Sequence, residues 1–216
     1  MDPLHIGIAL GPLATYLMVL GSVNLSARPV LVSGGRDAAA LALAMIGLVA
    51  AGPMELFLVE EAAVLYGAWV WGIMLIAYGL FVSLLILMLR PRLVIYNISF
   101  DQVRPLVSDV VSRLDRDARW AGESVVMPQL GVQLHIEAAP IMKNIQLISS
   151  GPQQNLHGWR QLEIELRTAL RRARTLPNAH GGILLVCGAM LAFSITYLIA
   201  QNPTGVMQSL SEMLRR

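Results

Sequence analysis

Three sets of side chains have types and spacings that permit chemistry. The first is a carboxylate, Glu55, standing in the apolar stretch GPMELFLVEEAAVLYGAWVW of residues 52–71. An ionisable group inside a bilayer is costly and is read by default as part of a proton or ion pathway. Tyr16 and His5, in another apolar stretch, are conceivable hydrogen-bond donors to it. Glu55, however, lies only four residues before Val59, toward the end of its stretch, where that cost falls. It therefore reads as a polar outer helix end; conduction through Glu55, Tyr16 and His5 is the alternative.

The second set is Gln133, His135 and Glu137, which alternate with Val132, Leu134 and Ile136. Strand side chains point alternately to opposite faces, so the three polar residues share one face. His135 and Glu137 are potential metal ligands, but a zinc-type site needs three or four, and His157 and His180 are distant in sequence. No metal is expected. The face reads as a surface for a partner.

The third set is basic: Arg90, Arg92, Arg171, Arg172 and Arg174, all next to apolar segments. Such residues set membrane orientation and attract anionic headgroups by about 1 kcal/mol each. The aromatic platforms on which single-stranded nucleic acids stack are missing around them, so no nucleic acid is expected. None of the phosphate-loop, dinucleotide, nucleophile-elbow or zinc-protease signatures occurs. No catalytic residue and no cofactor is expected. The lone Cys187 allows no intrachain disulfide and reads as a packing residue.

The elements that carry these groups follow from composition. Of 216 residues, 56% are hydrophobic and 14% charged, against about 25% charged in soluble domains. Crossing a bilayer takes about 20 apolar residues, and four segments have that length, near 6–24, 38–59, 62–89 and 181–200. The start of the chain lacks a cationic region before its apolar run, so it reads as a retained first span. Gly7 and Gly11, four apart, suggest a helix–helix contact. Arg28 and Arg36 join the third set on one side of the spans, whereas the other side has Glu60, Glu61 and the tail residues Arg215 and Arg216. By the positive-inside rule, both termini lie outside the cytoplasm and residues 91–180 lie inside.

Segment 25–36 is expected to be a turn, with Gly34–Gly35 as a break and Asp37 capping the next helix. Gly52–Pro53 should kink or end the second span. In 91–180 the expected order is β-α-β-β-β-α. A strand from Leu93 is followed by a helix with a Ser99/Gln102 capping box, and Pro105 should bend its first turns. The charged link 115–123 leads to strands at 124–127, 132–137 and 141–148, and a helix covers 156–174. The fold class is a membrane all-α bundle of four transmembrane helices with an inserted small α+β cytoplasmic domain. Residues 1–90 hold three spans, and 201–216 form an amphipathic tail.

These readings lead to an expectation of function. The chain is a non-catalytic integral membrane protein of a bacterial inner membrane, an accessory, scaffold or assembly subunit. Its partners would be lipid and other membrane subunits or further copies of itself, met through the inserted domain.

Overall fold

A computed structural model describes residues 3–54, 67, 69–139, 143–152 and 154–215. In chain order these form α1 (Pro3–Leu25), β1 (Val30–Ser33), α2 (Gly34–Val49) and a π-helical turn (Ala50–Met54). They continue with α3 (Trp69–Met88), β2 (Arg92–Tyr96), α4 (Phe100–Leu114), β3 (Arg119–Ala121), β4 (Ser124–Met127) and β5 (Val132–Ala139). Last come β6 (Asn144–Ser149), α5 (Leu156–Arg172), α6 (Ala179–Gln201) and α7 (Pro203–Arg215).

Among the described residues, four helical stretches are long and apolar enough to cross a membrane: Pro3–Leu25, Gly34–Gly52, Trp69–Met88 and Ala179–Gln201. The expected break at Gly52–Pro53 takes the form of the π turn, in which the helix widens to accommodate a residue without an N–H donor. Gly34 and Gly35 open α2 instead of interrupting the chain.

One compact unit comprises residues 1–19, 39–87 and 184–216. Its helices meet where side chains are smallest, as expected when lipid removes any hydrophobic drive between them. A Cβ added at Gly47 of α2 would stand 2.0 Å from the Ile8 carbonyl oxygen of α1. One at Gly188 of α6 would lie 2.8 Å from Met18 Cγ and 2.9 Å from the Ala14 oxygen, both on α1. The Gly7–Gly11 pattern is half used: Gly7 faces Ile195 and Ile199 of α6, whereas nothing approaches Gly11 within 4 Å. Tyr78 of α3 donates its hydroxyl to the Ala42 carbonyl of α2 at 2.8 Å.

The second unit comprises residues 20–38 and 88–183. Its centre is a six-stranded antiparallel sheet of order β1-β2-β6-β5-β4-β3. The sequence reading missed two of these strands. Segment 25–36 is not simply a turn: Val30–Ser33 pairs with β2, with Val30 opposite Tyr96 and Ser33 opposite Leu93. Its Val-Leu-Val run suits a pleated, half-buried surface and covers an edge of β2 that would otherwise be open. Within the charged link 115–123, Arg119–Ala121 pairs with β4 through a two-residue turn, in which Gly122 adopts φ 63°. Tight hairpins need such a positive φ.

Alternation along the strands builds the core. Leu93 and Ile95 of β2, Leu134 and Ile136 of β5, and Ile145 and Leu147 of β6 are 3% exposed or less. They form one cluster with Val103, Val107, Val110 and Val111 of α4 and Trp159, Leu162, Leu166 and Leu170 of α5. Two helices thus cover one face of the sheet. Helix α4 runs through Pro105 near its start. Ser99 occupies the N-cap position but makes no side-chain cap bond; its carbonyl instead accepts from Val103 N at 3.0 Å. That is the first bond of the helix, so the Ser99 half of the expected capping box is not made. Asn155 does cap α5, its Oδ1 accepting from His157 N at 2.9 Å.

Candidate partner-binding face

The strand alternation that buries Leu134 and Ile136 turns Gln133, His135 and Glu137 to the opposite face of the sheet, with His135 and Glu137 exposed. Register adds their neighbours. His135 stands between Ser124 of β4 and Ile148 of β6, while Glu137 is opposite Gln146 and Gln133 opposite Val126. The three residues singled out from the sequence are thus together, on a face that neither α4 nor α5 covers. Gln133 is the least free. Its carbonyl accepts from Ser150 N at 3.0 Å and from Gln154 Nε2 at 3.1 Å.

Ser124 was not legible as a functional candidate, because only the register brings it to His135. Its Oγ lies 3.0 Å from His135 Nδ1. That separation also suits a nucleophile and its base. A working pair further needs a group orienting the other ring nitrogen, and among the described residues none is hydrogen-bonded there. On an exposed sheet face the contact is a cross-strand pair, a class that contributes about 0.2–1 kcal/mol. Among the described residues there is no group of three or more His, Cys, Asp or Glu side chains able to hold a metal ion.

The basic residues divide. Arg90, Arg171, Arg172 and Arg174 are exposed. Arg92 is turned toward the first turn of α2, where its Nη2 lies 3.5 Å from Asp37 Oδ2 with the Arg92 side chain 31% exposed. Asp37 Oδ1 also accepts the Tyr96 hydroxyl. Asp37, expected as a cap, is thus a link between α2 and β2, and Arg92 is engaged with protein.

The polar set proposed for the spans is described only in part. Glu55 lies outside the described residues. His5 and Tyr16 are both on α1, eleven residues apart, which at about 1.5 Å per residue is roughly 16 Å along the axis. Each is half-buried and engaged in an interaction of its own.

The sequence also left unmarked a buried polar group: Asn24, Asn97, Thr175 and Asn178, none more than 8% exposed. Spread over the last turn of α1 and distant loops, these residues carry no local signature. Asp115 is likewise 1% exposed, and its carboxylate accepts from Asp117 N at 2.9 Å and Gln129 N at 2.8 Å.

Fold and face together define, among the described residues, a chain of mixed helix and six-stranded antiparallel sheet, with four helices apolar enough to span a membrane and with His135 and Glu137 exposed on the sheet face opposite α4 and α5. Comparison with protein-family models, curated proteins and solved structures finds no match to this chain.

Proposed function

We infer that this is a non-catalytic integral membrane protein that serves as an accessory, scaffold or assembly subunit of a membrane complex. Its spans form a helical bundle in a bacterial inner membrane, with both termini outside and residues 91–180 in the cytoplasm. The sheet then offers its uncovered face, centred on His135 and Glu137, to a partner subunit or a second copy.

One observation carries the reading: the sheet is packed under α4 and α5 on one face, while His135 and Glu137 stand exposed on the other. Interfaces outside obligate cores are about as polar as ordinary surface, so such a face suits a partner that docks on a finished domain. Extraction in mild detergent through a tag on residue 216, followed by native mass measurement, tests the proposal. A defined assembly with stoichiometric neighbours is expected. A lone monomer would contradict it.

A further inference from the structure

The last turn of α1 with the link after it, and the segment joining α5 to α6, are bonded side by side. Thr175 N donates to the Ala27 carbonyl at 3.1 Å and Asn178 N to the Asn24 carbonyl at 3.0 Å, so the two stretches run antiparallel. Asn97, immediately after β2 and fully buried, holds both. Its Nδ2 donates to the Ser26 carbonyl and, at 3.2 Å, to Thr175 Oγ1. Ser26 Oγ closes its own turn, accepting from Arg28 N at 3.0 Å and donating to the Arg28 carbonyl at 2.9 Å.

This fixed pair of segments carries Arg28 directly after Ala27 and Arg174 directly before Thr175, hence at facing positions. Both are exposed, and neither forms an ion pair with a carboxylate among the described residues. Like charges set opposite one another are destabilising; an anion between them reverses the sign. Arg171 and Arg172, in the last turn of α5, add to the positive field. Beside the arginines lie two apolar side chains with large exposed areas. Leu25, the last residue of α1, is 38% exposed, and Leu176 is 79% exposed. The segments end where α1 stops and α6 starts.

The geometry points to a binding site for an anionic phospholipid. Its phosphate is held by Arg28 and Arg174, and the start of an acyl chain lies against Leu25 and Leu176. Exposed leucines next to the basic pair, at the ends of two apolar helices, fit a lipid headgroup better than a soluble anion. The site rests on the reading that α1 and α6 cross the bilayer.

The test places the full-length protein in nanodiscs containing phosphatidylglycerol and phosphatidylcholine, then counts retained lipids by native mass spectrometry. Wild type should retain phosphatidylglycerol in preference. R28Q/R174Q should weaken that retention about thirtyfold, from about 1 kcal/mol per basic residue at tenfold per 1.4 kcal/mol. The single R174Q should weaken it about fivefold by the same conversion, and R28K/R174K should keep most of it. R113Q, which alters an arginine paired with Asp109 on α4, should behave as wild type. Equal retention of the two lipids, or wild-type retention in R28Q/R174Q and R174Q, would overturn the site. So would displacement of phosphatidylglycerol by excess inorganic phosphate, which would make a soluble anion the ligand. A protein that never enters nanodiscs would instead remove the spanning reading.

Discussion

At the scale of single residues, two buried polar side chains have consequences that substitution can measure. Asn97 sits at φ 58°, a left-handed conformation that costs most non-glycine residues about 1–2 kcal/mol and that asparagine tolerates better. It also supplies donors to Ser26 and Thr175. Asn97→Gly loses the bonds and keeps an easy backbone; Asn97→Ala loses both. The expected order of thermal stability in detergent is wild type, then Gly, then Ala, with Ala about 3 kcal/mol below wild type. Ala matching Gly would show that the backbone conformation contributes nothing. Asp115→Ala leaves the amides of Asp117 and Gln129 without an acceptor and should destabilise by about 2–4 kcal/mol in denaturant unfolding. Neither residue could be marked in advance. Apart from Asp117, two residues beyond Asp115, their partners come from segments distant in sequence that only the fold brings close.

At the scale of elements, the helix contacts separate the glycines. Gly47 lies against the backbone of α1, where an added methyl meets the Ile8 carbonyl. An obstructing backbone atom cannot turn aside as a side-chain end can, so Gly47→Ala should push α1 and α2 apart and lower the thermal midpoint in detergent. Gly11→Ala, with open space around it, should leave the midpoint unchanged or raised, because alanine is the better helix former. Equal effects would mean that α1 and α2 do not meet as described. These elements were largely legible. Long apolar runs located four helices, and period-two alternation located β5, because one face of that strand had to be buried. What was illegible were β1 and β3. Val30–Ser33 is too short to announce itself, and Arg119–Ala121 is charged, so only pairing with β2 and β4 makes them strands.

At the scale of the whole molecule, β1 makes the sheet depend on more than residues 91–180. A fragment of 91–180 alone leaves the β2 edge unpaired along Leu93–Tyr96, and exposed apolar edges seed association. Such a fragment should aggregate on expression. The same fragment with 28–36 fused at its start should be more soluble, as seen by size-exclusion chromatography. If both behave alike, β1 adds nothing to the sheet's independence. The polar face, by contrast, was legible from Gln133, His135 and Glu137 alone, because strand alternation assigns faces without any tertiary knowledge. The central claim is that this face meets a partner. The most direct measurement is in-cell photocrosslinking from a photoreactive residue at position 135. A matched control sits at position 113 on α4, which is also exposed but on the helix-covered side of the sheet. The account predicts a discrete protein adduct from 135 and none from 113. Absence of an adduct from 135, or equal adducts from both positions, would contradict it.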